Sequence, residues 1–252
     1  MKTVEEIVKK AKHYAIKFDQ EIVSIEPEIY LKYHLKLKDA LEDKTYKTLM
    51  DDNAYIYYDK LGIIRLKKMQ TTKELKDYLI LKGAKESLVK QLVHKYTERK
   101  YLDDYAYAKM YVQMKQHTDG PKVISNYLKE KGISNEIIES FTKRIDEHLV
   151  LSTLIPKKLK TIKNKSKKQI IQNIKGYYLR KGFSLEAVES VVKKSISSID
   201  VNETELIKKE YLKLLKKYQN KDMDASAEYQ ITQKLYAKGF KIEDIKKAIN
   251  SL

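Results

Sequence analysis

The sequence predicts an all-α protein: an elongated, curved array of four tandem three-helix repeats behind a small N-terminal β-hairpin extension. Three observations carry this. Lys-Gly followed by Ala, Ile or Phe occurs four times, at Gly83, Gly132, Gly182 and Gly239, among only seven glycines. The intervals are 49, 50 and 57 residues, suited to a supersecondary unit rather than a domain. The same apolar offsets then recur around each glycine. Leu75, Ile124, Ile174 and Ile231 stand eight residues before it, and Leu79, Leu128, Tyr178 and Leu235 four before. Val89, Ile138, Val188 and Ile245 stand six after, and Leu92, Phe141, Val191 and Ala248 nine after. These are helical spacings on either side of a break. The glycine is the left-handed residue that closes one helix, the lysine complements the dipole of its last turn, and the following apolar residue opens the next helix.

The elements follow in order. Residues 1–49 lie outside the repeat. Tyr14, Ile16 and Phe18 alternate as one strand, Asp19-Gln20 is a turn, and residues 21–25 return as a second strand. Pro27 ends the hairpin and starts a short helix through Leu31. The first repeat spans 50–97, with a first helix over 50–68. Thr71-Thr72-Lys73-Glu74 is a capping box that places the start of its second helix. The second repeat, 98–148, opens on Tyr101-Leu102-Asp103-Asp104. Here Asp103 is an N-cap, Asp104 a first-turn acid, and Leu102 is placed to staple onto Tyr107. Asp119-Gly120-Pro121 breaks that helix, Pro121 suits the first turn of the next, and Ser134 caps the third. The third repeat, 149–198, has a first helix near 148–164, interrupted or started at Pro156. Ser166-Lys167-Lys168-Gln169 is a second capping box, and Ser184 caps the helix after Gly182. The fourth repeat, 199–252, reads as helices over 203–218, 224–238 and 241–251, with a polar loop at Asn220-Lys221-Asp222 that absorbs the longer last interval. One such unit has little core of its own, so neighbouring units must share cores.

Composition narrows the function. Lys and Arg exceed Asp and Glu by 52 to 35, a net charge of +17, which favours a polyanionic partner, most simply nucleic acid. The chain has no cysteine, so disulfides and thiolate metal sites are excluded. No apolar run approaches a membrane span, and Met1-Lys2-Thr3-Val4-Glu5-Glu6 is too charged for a signal peptide, so a cytoplasmic protein without membrane contact is expected.

Catalytic patterns are absent: no glycine-rich phosphate loop, no nucleophile elbow and no His-Glu-x-x-His. The five histidines are scattered, and adjacent Asp103 and Asp104 point about 100° apart on a helix, so capping accounts for them. No catalytic, cofactor-binding or metal residue is assigned. Charge is the stronger signal. From Thr153 to Lys181 there are ten basic residues and no acid. Lys157, Lys160, Lys163 and Lys167 follow helical spacing as one stripe, and with Lys165 and Lys168 they are the candidate electrostatic contacts to phosphate or to an acidic groove. The twenty tyrosines fall mostly at apolar offsets such as Tyr78, Tyr127 and Tyr178, which reads as core packing rather than base stacking.

Taken together, Tyr101-Leu102-Asp103-Asp104, Ala108, Tyr111-Val112, Gly120-Pro121, Ile124, Leu128 and Lys131-Gly132-Ile133 resemble the central motif of the RecX family. The flanking Lys-Gly units resemble that family's other three-helix repeats, so the likeness runs along most of the chain, including the N-terminal extension and fourth repeat of longer members. The turn Lys67-Lys68-Met69-Gln70-Thr71 departs from the more arginine-rich turn of the family. The resemblance implies a regulator rather than an enzyme: a monomer that binds the RecA recombinase filament, inhibits or adjusts strand exchange and ATP hydrolysis, and binds single- and double-stranded DNA. The charge alone also suits a DNA-binding architectural protein without a recombinase partner, or a helical adaptor for an acidic protein.

Overall fold

The computed structural model describes residues 1–197, 202–218 and 225–252. It is mostly helical, with a small antiparallel sheet at the N-terminus. The polar loop expected at 220–222 and the longer connection near 219–224 lie outside the described residues. Two compact units divide the chain: 1–108 with 130–134, and 109–129 with 135–252.

In the first unit the hairpin of β2 (Tyr14–Phe18) and β3 (Glu21–Ile25) forms as the alternation predicts, turning at Asp19 with φ of 50°. The sheet is larger than a hairpin. β1 (Lys2–Lys9) adds along β2 and β4 (Ala40–Leu41) along β1, in the order β3-β2-β1-β4. Alternation hides β1 because its register slips between Val4 and Glu6, a bulge that leaves Glu5 out of step. Val4, Ile16, Phe18 and Ile25 are fully buried against Ile29 of α1 (Pro27–Lys32) and Leu49 of α2 (Asp43–Arg65). So the first helix of the first repeat starts earlier than expected, at Asp43, because its first turns cover the sheet. α3 (Thr72–Leu81) and α4 (Glu86–Glu98) complete that repeat.

The second repeat comprises α5 (Asp104–Lys115), α6 (Pro121–Glu130) and α7 (Asn135–Thr142). α8 (Glu147–Leu159), α9 (Lys167–Arg180) and α10 (Leu185–Ile196) follow, then α11 (Glu203–Tyr218), α12 (Ala225–Ala237) and α13 (Ile242–Ile249). Pro156 does not interrupt α8. It sits in the last turn, where the missing N–H leaves only the carbonyl of exposed Ser152 to water.

The four repeat glycines, Gly83, Gly132, Gly182 and Gly239, all have positive φ, between 81° and 92°. Fifteen of the sixteen residues at the recurring offsets are buried, Phe141 being half-buried. Two details differ from expectation. The apolar residue after the glycine does not open the next helix. Its N–H returns to the helix just closed, as in Ala84 to the Leu79 carbonyl at 3.0 Å and Phe183 to Tyr178 at 3.2 Å, so it packs back in a Schellman turn. The lysine, in turn, serves more than the dipole: it is half of a joint between repeats.

That joint recurs. At Thr71 the hydroxyl accepts from the Glu74 N–H, as the capping box predicts, and donates to the Lys131 carbonyl at 2.7 Å. Lys131 Nζ reaches Glu74 Oε1 at 2.5 Å. At Ser166 the hydroxyl accepts from Gln169 N–H and donates to the Lys238 carbonyl at 2.7 Å, while Lys238 pairs with Glu210. In the middle repeat the main chain does the work. Gly120 N–H donates to the Lys181 carbonyl at 2.7 Å, Lys122 N–H to Gly182 at 3.2 Å, and Lys181 Nζ pairs with Asp119 at 2.8 Å. A Cβ on Gly120 would stand 2.3 Å from the Gly182 carbonyl carbon, so glycine is needed there for close approach. The first repeat follows no other, and there Tyr58 of α2 donates to the Lys82 carbonyl at 3.1 Å.

Candidate nucleic-acid interface

Nine of the ten basic residues between Thr153 and Lys181, all but Arg180, separate into two groups. Lys175 pairs with Glu189 at 2.7 Å and Lys181 with Asp119 at 2.8 Å, so these two are structural. Lys181 is held above the ordinary lysine pKa, mainly by its hydrogen bond to the Asp119 carboxylate. The other group gathers around the α8–α9 turn, and among the described residues no carboxylate lies within ion-pairing distance of Lys157, Lys158, Lys160, Lys163, Lys165, Lys167 or Lys168.

The expected helical stripe of Lys157, Lys160, Lys163 and Lys167 does not form. α8 stops at Leu159, Lys160 is its C-cap, and residues 161–166 form a turn. The end is fixed locally: Lys160 N–H reaches the Pro156 carbonyl at 3.3 Å, and the Thr161 hydroxyl donates to the Lys158 carbonyl at 2.7 Å. Asn164 takes a left-handed conformation, φ 56°, that reverses the chain into α9. The turn is anchored from inside. Leu159 and Ile170 are buried in the core of this repeat, and Ser166 is fully buried on the Lys238 carbonyl. All six candidate lysines are exposed on this anchored turn. Lys158 instead lies over the Tyr177 ring, 4.6 Å from its centroid.

The electrostatics are one-sided. α9 has no acid in its first turn, and Lys167 and Lys168 stand at its positive end. One carboxylate comes near: Glu203 Oε1 accepts from the Lys167 backbone N–H at 2.8 Å. Among the described residues, Glu203 is the one carboxylate bonded at this turn, which is left with an excess of positive charge. Phosphates bind such a surface by displacing counterions, without base recognition.

The central motif takes structural positions. Leu102 is buried, and Asp103 Oδ1 accepts from Ala106 N–H at 2.8 Å as the N-cap. Asp104 does more than favour its own helix: its Oδ1 accepts from Thr72 N–H at 2.8 Å, serving the first turn of α3. Pro121 lies in the first turn of α6, directly after Gly120 of the middle joint. Gly83, Gly132, Gly182 and Gly239 are likewise structural, and the Gly132 position packs against the Lys73 side chain. Burial pushes the Tyr178 phenol up to about 12, in keeping with a core role. Among the described residues no group of three or more His, Asp or Glu side chains is placed to hold a metal ion. No described helix is long and apolar enough to cross a membrane.

Comparison with known proteins agrees with the motif. Residues 103–140 match the second three-helix domain of RecX. A regulatory protein RecX from Streptococcus mutans is 28% identical over 252 residues, covering 98% of each chain. Another from Bacillus licheniformis is 31% identical over 185 residues, 70% of this chain and 69% of the relative. Among solved structures, a regulatory protein RecX superposes with a TM-score of 0.57 at 20% identity, over 75% of this chain and 98% of that one. RecX from Lactobacillus salivarius gives 0.53 at 24% identity, over 57% and 97%. With the Asp103-capped central motif, relatives aligned along nearly its whole length and solved folds of the same kind, this chain belongs to the RecX family of regulatory proteins.

Proposed function

We propose that this protein is a non-enzymatic, cytoplasmic regulator that binds the RecA recombinase–DNA filament as a monomer and restrains its strand exchange and ATP hydrolysis. The observation that carries the reading is the α8–α9 turn, where Lys157, Lys160, Lys163, Lys165, Lys167 and Lys168 are exposed and, among the described residues, without carboxylate partners. Such a turn supplies salt-dependent contacts to filament phosphates, and the other repeats offer further places for contact. Many weak contacts then add through effective concentration. The regulatory name carried by its relatives supports the same direction.

The test compares binding to bare single strands, bare duplex and recombinase-coated DNA, while following the recombinase's ATP turnover. Filament binding with slowed turnover is expected. Reversing the charge of the six lysines should weaken filament binding at least tenfold at low salt and flatten its salt dependence. Unchanged turnover at saturating protein would overturn the reading. Tight binding to bare DNA without any effect on the recombinase would favour an architectural DNA-binding role.

A further inference from the structure

The N-terminal sheet carries cations in two settings. On its strands and the adjoining helices several cations are paired: Lys2 with Asp19 at 3.3 Å, Lys17 with Glu5 at 2.6 Å, Lys32 with Asp52 at 2.6 Å, and Lys60 with Glu26 and Glu28 at 2.6 and 2.8 Å. The tip that joins β1 to β2 is different. It runs Lys9-Lys10-Ala11-Lys12-His13, closed by a hydrogen bond from Lys10 N–H to the His13 carbonyl at 2.9 Å. All three lysines are exposed, and among the described residues no carboxylate is within ion-pairing distance of any of them. Three cations on five residues repel one another, and the fold offers no compensation.

Lys12 and His13 also line a cleft of about 570 Å³ that Glu26, Asn53, Tyr57 and Lys60 share. Glu26, Lys60 and Asn53 of this cleft are already engaged. Lys60 is held by its two glutamates, while Asn53 accepts from Glu26 N–H at 2.7 Å and donates to the Ser24 carbonyl at 2.9 Å. Tyr57 remains 44% exposed, its ring held edge-on by Tyr58 at 5.0 Å. The free chemistry here is a run of cations beside a planar aromatic face. An acidic peptide would use the cations alone, whereas a single-stranded nucleic acid uses both, phosphates on the lysines and a base on the ring.

We propose that the β1–β2 tip and its adjoining cleft form a single-stranded nucleic-acid contact in which Lys9, Lys10 and Lys12 hold backbone phosphates and Tyr57 stacks on a base. This site is separate from the α8–α9 turn and does not depend on the filament reading. The test uses the full-length protein, without recombinase, titrated onto labelled oligothymidine and onto a duplex of equal length over a salt series. Replacing the three tip lysines (K9S, K10S and K12S together) should flatten the log–log salt slope for oligothymidine by about two, at roughly 0.7 per phosphate released. Tyr57→Ala should leave that slope unchanged and weaken single-strand binding roughly tenfold, with less effect on duplex. Both changes lie at exposed positions, and unchanged circular dichroism and melting should verify folding. A wild-type slope in the triple variant overturns the proposal, as does competition by polyglutamate but not by oligothymidine. A flattened slope with recombinase turnover unaffected upholds this contact and counts only against the filament reading.

Discussion

The joint around Gly120 and the joint around Ser166 perform one task with different atoms. Each satisfies the carbonyl of a Lys-Gly helix end with a donor from the start of a helix in the preceding repeat. At Ser166 the donor is a hydroxyl that also caps its own helix. At Gly120 it is a backbone N–H, and the two chains approach so closely that a Cβ would collide with backbone atoms at 2.3 Å. The difference teaches where each joint is vulnerable. A side-chain joint loses one or two hydrogen bonds when its residue changes, and the packing around it survives. A main-chain joint keeps its backbone hydrogen bonds whatever side chains surround it, yet at Gly120 it cannot accept any side chain at all.

The sharpest way to break the comparison is Gly120→Ala. Overpacking against backbone should cost about 3 kcal/mol, read as a fall in the urea midpoint. A cost below about 1 kcal/mol would mean the close approach is not real. Ser166→Ala and Thr71→Val each remove a cap and an inter-repeat bond, so each should cost about 1–2 kcal/mol. Equal losses at Ser166 and Gly120 would erase the distinction.

pH separates the first joint from the middle one. Burial alone would raise the Glu74 carboxyl, but Lys131, the Thr71 N–H and Arg65 outweigh it and hold it below the ordinary range. Its contribution is therefore present above the unfolded glutamate pKa of about 4.3 and is lost as pH falls through the lower folded value. Lys181 is shifted upward, so its contribution is complete below the unfolded lysine pKa of about 10.4 and is lost as pH rises through the folded value. Glu74→Gln should thus flatten the acid limb of a stability–pH profile, and Lys181→Met the alkaline limb. Crossed effects would contradict the pairing. The smallest effect is expected from Tyr58→Phe, about 0.5–1.5 kcal/mol for one hydrogen bond, measurable by thermal melting.

Much of this was legible in the sequence because the relevant signals are local. Helix breaks, caps at Thr71, Asp103 and Ser184, and the apolar offsets all depend on residues within one or two turns of each other. What escaped was long-range or irregular. Thr71 and Ser166 look like ordinary caps, but their second bonds reach 60 and 72 residues away. β1 was hidden by its bulge, and with it the basic tip, which looks unremarkable until β2 is paired beside it. In the candidate lysine site the charge was readable but its geometry was not. Helical spacing continues on paper past Leu159, whereas Asn164 reverses the chain. The missing acids were countable, yet the pairing of Lys175 and Lys181 depended on Glu189 and Asp119, outside the basic run.

Tyr58 carries one last consequence. Tandem units that connect through a single recurring coupling are, in principle, open to growth, since the leading unit offers the same socket to another molecule that later units offer within the chain. Here the Lys82 carbonyl is that socket, and the phenol of Tyr58 already fills it from the same chain. The first unit thus takes from its own α2 the donor that later units take from the unit before them.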